Sequence, residues 1–124
     1  MNYVFTVPGP PLVKRRPRHM VTTGGTVRTY SPDETVEAKE AVRVALRETI
    51  AGVQPTKDPY AVICRFYTRN RSKRDLDNLG KLVLDALNGI VWMDDSQVWQ
   101  LYLRREVDRL NPRTEIEIWT MPVT

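Results

Sequence analysis

Residues 59–89 read PYAVICRFYTRNRSKRDLDNLGKLVLDALNG, and this stretch sets the fold because its hydrophobic period changes halfway along. Its first ten residues are rich in β-branched and aromatic types, which is typical of a largely buried strand. From residue 76 onward, apolar residues recur at helical spacing and form one side: Leu79, Leu82, Val83, Ala86 and Leu87. Asn88-Gly89 then predicts the end of a helix over 76–88, with Asp77 as its N-cap.

The sequence before this segment predicts a strand, a long loop and a second helix. Residues 2–7 are β-branched and aromatic until a proline-rich stop. Residues 8–30 hold four of the nine prolines and two adjacent glycines, which predicts a loop. Ser31-Pro32-Asp33-Glu34 is a strong helix start with a serine N-cap, and the amphipathic pattern continues to about Ala51.

The sequence after it predicts two more strands. Residues 97–107 and 113–121 alternate with the period of a strand, and the turn signal Asp108–Pro112 between them predicts an antiparallel pair. We therefore expect one domain over residues 1–124 of the α+β class. A small mixed β-sheet, in the order β-α-β-α-β-β, would pack against two main helices.

The composition of the chain excludes several classes of protein. With 124 residues, 41% of them hydrophobic, it can form one packed core, and no apolar run is long enough to predict a membrane span. The opening residues lack the pattern of a secretory signal. Cys64 is the only cysteine and His19 the only histidine, which excludes an intramolecular disulfide and a Cys/His zinc site. A lone reduced cysteine fits the cytoplasm, where we expect the protein to act.

Positive charge is concentrated in two segments. The formal net charge is only +4, yet residues 1–31 and 65–74 hold ten of the 19 cationic side chains and no acid. These side chains are Lys14, Arg15, Arg16, Arg18, Arg28, Arg65, Arg69, Arg71, Lys73 and Arg74. Clustered cations are the electrostatic footprint of a polyanionic ligand such as nucleic acid, and the alternative is a pair of solvated loops.

Two acidic pairs follow the second basic segment. Asp75 and Asp77 stand at the start of the predicted helix, and Asp94 and Asp95 come soon after its end. Mg²⁺ takes oxygen ligands, usually one or two carboxylates with waters and substrate phosphate, so we predict a metal site that receives a phosphodiester. We expect the loop after the helix to return the second pair to the same sheet edge. The structural alternative is that the first pair only caps the helix and that Lys81 is the ion-pair partner of Asp77.

At these residues the chain resembles the RusA family of Holliday junction resolvases, small nucleases often encoded by phages and prophages. The resemblance is carried by Arg74-Asp75-Leu76-Asp77-Asn78-Leu79 with Lys81, by Asp85-Ala86-Leu87, and by Trp92-Met93-Asp94-Asp95-Ser96-Gln97-Val98. The opening strand, Pro8-Gly9-Pro10-Pro11 and the basic segment also match. The resemblance implies a RusA-like fold and a Mg²⁺-dependent endodeoxyribonuclease, with Mn²⁺ as a substitute ion. It implies a homodimer that resolves four-way DNA junctions by paired symmetric nicks during recombination and repair.

The resemblance also assigns roles to individual residues. Asp75, Asp77 and Asp95 match the essential metal-binding carboxylates, Lys81 matches the catalytic lysine, and Asp94 matches a supporting acid. The positions where the family binds DNA correspond to Lys14, Arg15, Arg16, Arg18, Arg69, Arg71, Lys73 and Arg74, with Asn78 in the polar surround. Two other functions stay open on the residues alone. One is a non-enzymatic protein that binds DNA junctions or single strands, and the other is a metal-dependent phosphoesterase acting on flaps or RNA.

Overall fold

The structure is a computed structural model that describes residues 2–11, 18–21, 27–30, 33–71 and 75–122. Its elements in chain order are β1 (Asn2–Pro8), β2 (Arg18–Val21), β3 (Val27–Tyr30), α1 (Asp33–Thr49), β4 (Tyr60–Thr68), α2 (Leu76–Leu87), a short 3₁₀ helix (Asp95–Gln97), β5 (Val98–Val107) and β6 (Arg113–Thr120). The α+β class, the two helices and the order of the main strands along the chain are confirmed. The predicted serine N-cap of α1 lies outside the described residues.

The main sheet has four strands in the order β1-β6-β4-β5. β6 runs antiparallel to both β1 and β4, whereas β5 runs parallel to β4. Parallel neighbours need a crossover, and α2 supplies it between β4 and β5. β4 begins at Tyr60 opposite Val98 of β5, and it ends at Thr68 opposite Val107. The start of α2 therefore lies beyond the C-terminal ends of these two strands.

The predicted pairing of β5 with β6 is wrong. The two strands run in opposite directions, but β4 lies between them. The turn that joins them crosses the end of β4, where the backbone N–H of Asp108 donates to the carbonyl of Thr68 at 2.8 Å. A turn signal reports where the chain reverses, and it does not determine which strand becomes the neighbour. Ile116 and Ile118 of β6 are fully buried, as expected for a strand with neighbours on both sides.

The predicted loop over residues 8–30 also contains regular structure. β2 and β3 form a separate two-stranded antiparallel sheet, with Arg18 opposite Tyr30 and Val21 opposite Val27. The prolines and glycines of this segment are typical of loops. The short runs of β-branched and aromatic residues on either side of Gly24-Gly25 were the overlooked hairpin signal.

One face of the main sheet carries both helices and the core. Side chains alternate along β4, so that Tyr60, Val62, Cys64 and Phe66 are buried beneath the helices. The five apolar residues predicted for α2 are all buried. Gly80 lets α2 approach β5 closely, because a Cβ there would lie 2.6 Å from a methyl carbon of Leu103. No helix formed by the described residues is long and apolar enough to cross a membrane.

Candidate active site

Asp75 is the N-cap of α2. Its backbone is extended (φ −76°, ψ 114°), and its Oδ1 atom accepts a hydrogen bond from the N–H of Asp77 at 3.0 Å. Its Oδ2 atom accepts a longer bond, 3.4 Å, from the side-chain amide of Asn78. The prediction that Asp77 caps the helix is wrong by two residues, because Asp77 already belongs to the first helical turn. The cap fixes the Asp75 carboxylate in place while the residue remains exposed to solvent.

Asp77 and Lys81 lie one helical turn apart, and both are exposed. Within the described residues no ion pair joins them. The alternative in which Lys81 serves only as the partner of Asp77 therefore gains no support. Asp77 lies in the first turn of α2, where helix amides favour anions, and Lys81 lies in the middle of the helix.

Asp94 and Asp95 lie at the 3₁₀ helix before β5. Asp94 is its N-cap, and Oδ2 of Asp94 accepts the N–H of Ser96 at 3.0 Å. The hydrogen bonds from Ser96 hold the pKa of the Asp94 carboxyl below its usual range. Gln97 completes a capping box by accepting the N–H of Asp94 at 3.1 Å. Asp94 thus has a structural role of its own, whereas the half-buried Asp95 is not needed for the cap.

Gln97 is an important residue that the sequence reasoning missed. Its side-chain Nε2 donates to the carbonyls of Thr56 at 2.8 Å and Asp58 at 2.9 Å. It thereby ties the loop that carries Asp94 and Asp95 to the segment before β4. The signal was present in the sequence as an acid followed three residues later by glutamine.

The two acidic pairs lie at opposite ends of α2, which corrects the expectation that they meet at one edge. Asp75 and Asp77 stand where β4 ends, and Asp94 and Asp95 precede Val98, which pairs with the first residue of β4. A helix of 12 residues is about 18 Å long, and this length separates the pairs. Across the described ranges, no three His, Cys, Asp or Glu side chains are grouped so that they could hold one metal ion.

The donor chemistry at the start of α2 nevertheless fits Mg²⁺. This ion commonly takes one or two protein carboxylates and completes its octahedron with waters and substrate phosphate. Asp75 and Asp77 are two exposed carboxylates, and one of them is held by hydrogen bonds. A site of this kind is open to a bulky phosphodiester, in contrast to an all-protein cage.

The cations expected to bind DNA are only partly within the described residues. Arg69 and Arg71 are exposed directly after β4, on the segment that leads to Asp75. Arg18 lies in β2. The remaining predicted contacts lie outside the described residues: Lys14, Arg15, Arg16, Lys73 and Arg74. Arg65 is unavailable for this role, because it forms an ion pair with Glu117 on the face of the sheet away from the helices.

Arg105 is a second residue that sequence reasoning missed. Its Nε donates to the hydroxyl of Thr68 at 3.2 Å, and its Nη2 donates to the carbonyl of Asn70 at 3.0 Å. These bonds anchor the beginning of the basic segment to the end of β5. No motif marks Arg105, because the contact depends on β4 and β5 being neighbours.

Comparison with known proteins identifies the class of protein to which this chain belongs. The sequence model described as Endodeoxyribonuclease RusA matches residues 8–119, which is most of the chain. The protein is therefore an endodeoxyribonuclease, a hydrolase that acts on DNA. More particularly, the chain belongs to the RusA family, whose members act on Holliday junction DNA and generally depend on a divalent metal ion. A search of curated proteins found no significant match.

Proposed function

We propose that this protein is a Mg²⁺-dependent Holliday junction resolvase that works as a homodimer and makes paired symmetric nicks. The observation that carries the proposal is the capped carboxylate of Asp75, which accepts the N–H of Asp77 after a basic segment and precedes Lys81 on the same helix. In a family of DNA endonucleases, this is the place where exposed acids and cations occur together. Mn²⁺ is the expected substitute ion, because it accepts the same oxygen ligands.

The residues have distinct tasks in the proposed reaction. Asp75, Asp77 and Asp95 would hold the ion, with Asp94 in a supporting position. When bound, the ion supplies charge neutralisation at the scissile phosphate and a lowered pKa for the attacking water. Lys81 stabilises the charge that develops on the phosphate oxygens in the transition state.

The distance between the acidic pairs supports a site shared between two subunits. Within one chain, α2 separates Asp75 and Asp77 from Asp94 and Asp95. In a homodimer, the first pair of one subunit can meet the second pair of its partner. Two-fold symmetry then produces two identical sites, and two identical sites are what symmetric nicking of a four-way junction requires.

Affinity for the junction would come mainly from phosphate contacts. The proposed contacts are Lys14, Arg15, Arg16, Arg18, Arg69, Arg71, Lys73 and Arg74, together with Asn78. Such contacts release counterions, so that binding should weaken steeply as salt rises. Selectivity for a branched substrate would then depend on the shape of the dimer, with little base readout. Action on DNA agrees with the cytoplasmic location expected from the sequence.

Cleavage of a labelled synthetic four-way junction tests the proposal. Wild type and Asp75→Asn are compared with and without Mg²⁺, and a linear duplex of the same sequence is the control substrate. Paired nicks at symmetric positions, made only by wild type and only with metal, are the expected result. Tight junction binding with no nicks under any divalent ion would favour a non-enzymatic DNA-binding protein. Preferential cleavage of flaps or RNA would favour a different phosphoesterase.

A further inference from the structure

We propose that Arg105 is a positioning residue for the DNA substrate: its guanidinium orders the backbone that carries Arg69 and Arg71, so that both cations meet the phosphates from a fixed segment. This inference rests on the proposed function and adds to it a residue that acts through the basic segment. Arg105 lies near the end of β5 and is half-buried. Its register partner is the buried Phe66, so it lies on the face of the sheet that carries the helices.

Arg105 joins two points of the chain through one planar group. Its Nε donates to the hydroxyl of Thr68 at 3.2 Å, and its Nη2 donates to the carbonyl of Asn70 at 3.0 Å. The Thr68 hydroxyl donates to the same Asn70 carbonyl at 3.0 Å. Because the N–H groups of a guanidinium point in fixed directions, the two bonds hold Thr68 and Asn70 in one relative position. We call these three residues the β5 clamp.

Thr68 connects the β5 clamp to the main sheet. It is the last residue of β4 and is only 4% exposed. Its carbonyl accepts the N–H of Asp108 at 2.8 Å. Because both the backbone and the hydroxyl of Thr68 are held, the clamp fixes Asn70 relative to the sheet. Asn70 lies between Arg69 and Arg71, whose side chains are exposed.

The other end of the connection from β4 to α2 is also held by β5. Leu103 packs so closely against α2 that a Cβ at Gly80 would lie 2.6 Å from one of its methyl carbons. As the crossover between two parallel strands, α2 runs in the opposite direction to β5. Two strand residues and four to five helix residues both span about 7 Å, so Arg105 lies at the level of the first turn of α2. β5 therefore holds both ends of the connection that leads to Asp75.

A segment that is ordered before binding gives a higher affinity. Fixing the backbone of one further residue at the moment of binding weakens affinity by about tenfold. Arg105→Ala should therefore raise the junction dissociation constant by about tenfold, while Arg69 and Arg71 still reach the phosphates. The number of phosphate contacts then stays the same, and so does the slope of log Kd against log salt concentration. If Arg105 itself contacted a phosphate, its loss would lower that slope by about one.

Binding of a labelled four-way junction by the full-length protein, measured in EDTA over a range of salt concentrations, tests the inference. Arg105→Ala and Arg105→Lys should both bind about tenfold more weakly than wild type, with the wild-type slope. Lysine keeps the charge but lacks the planar fork that holds two acceptors. Arg104→Ala is the matched control and should bind like wild type. Arg104 is the neighbouring arginine on the opposite face of the sheet, where it pairs with Glu106.

Thr68→Val supplies a second test, because it removes the hydroxyl with little change in side-chain shape. It should weaken binding with an unchanged slope, and combining it with Arg105→Lys should cause no further loss. Additive losses would overturn the inference, since Arg105 would then act independently of the β5 clamp.

Two other results would also overturn the inference. One is a slope that falls by about one in Arg105→Ala and returns in Arg105→Lys, which would indicate a direct phosphate contact. The other is equal binding by Arg105→Ala and Arg104→Ala. Nicking by wild type in either case would leave the nuclease assignment intact. If the variants bind as expected but wild type never nicks the junction with Mg²⁺, the proposed function alone is refuted.

Discussion

The carboxylate of Asp75 accepts a hydrogen bond from the backbone N–H of Asp77 at 3.0 Å, so one proposed metal ligand orients the backbone of the other. This bond is local, and it forms because Asp75 is the N-cap of α2. The Asp75 side chain therefore caps the helix and is also a proposed metal ligand. Substitutions that keep one of these two roles and remove the other can distinguish them.

Asp75→Asn should abolish cleavage and preserve the helix, because asparagine is as good an N-cap as aspartate. Junction binding should be unchanged or stronger, since a negative charge near the DNA is removed. Asp75→Ala should abolish cleavage and also lower the free energy of unfolding by about 1 kcal/mol through loss of the cap. Gel-shift binding, nicking and urea unfolding of the two variants check this. Loss of binding together with cleavage in Asp75→Asn would contradict the role as a ligand.

Lys81→Ala should reduce the cleavage rate by about 100-fold or more, because it removes a cation from the transition state. Lys81 is exposed, so stability and junction affinity should change little. Lys39→Ala, at a lysine on α1, is the matched control. Single-turnover nicking rates at saturating enzyme give the comparison. Equal rates for the two variants would remove Lys81 from the reaction.

Mixing two inactive variants should restore activity if each site is shared between subunits. A heterodimer of Asp75→Asn and Asp95→Asn would contain one site with both substitutions and one intact site. We therefore expect nicking of one strand per junction after the two proteins are mixed and allowed to exchange subunits.

A mixture of Asp75→Asn with Asp77→Asn is the control for this experiment. Both substitutions affect the same half of the site, so every site in that heterodimer stays defective. If the first mixture were as inactive as the second while subunit exchange was demonstrated, each site would have to be built from a single chain.

Gln97→Ala should destabilise the protein by about 1–3 kcal/mol, because the Gln97 side chain accepts two hydrogen bonds within the acidic loop and donates two to the segment before β4. Cleavage should also fall, since Asp95 loses the support of the capping box. Gln54→Ala, at an exposed loop position, is the control. Denaturant unfolding and nicking assays of both variants measure the two effects. Unchanged stability in Gln97→Ala would show that these bonds are dispensable.

Cys64 should resist thiol reagents in the folded protein at about pH 8. Burial raises the pKa of its thiol from 9.0 to about 12, so the reactive thiolate is scarce as well as enclosed. The same shift affects stability. The unfolded thiol ionises near 9.0 and the folded thiol near 12, so its contribution is complete below the first pKa and declines as pH rises toward the second. Labelling rates with and without denaturant provide the measurement, and rapid labelling without denaturant would contradict it.

The local structure around the site could be predicted from the sequence. The apolar spacing of Leu79, Leu82 and Val83 determined the buried side of α2, and Asn88-Gly89 marked its end. These features depend on residues within one or two turns of each other, so composition and spacing contain the necessary information. The sequence predicted Asp77 as the N-cap, whereas the structure has Asp75 there. Both residue types suit the position, and only the backbone conformation distinguishes them.

The sequence by itself determined the α+β class, both helices, the main strands and the identity of the acidic and basic residues. Only the tertiary structure decided which strands are neighbours, and that decision separated Asp75 from Asp94 by the length of α2. Strand neighbours are selected by packing between residues far apart in the chain, and alternation along one strand carries no record of them. The exposed edge of β5 became visible for the same reason, because Leu101 alternates like a core residue and remains uncovered only where the sheet ends.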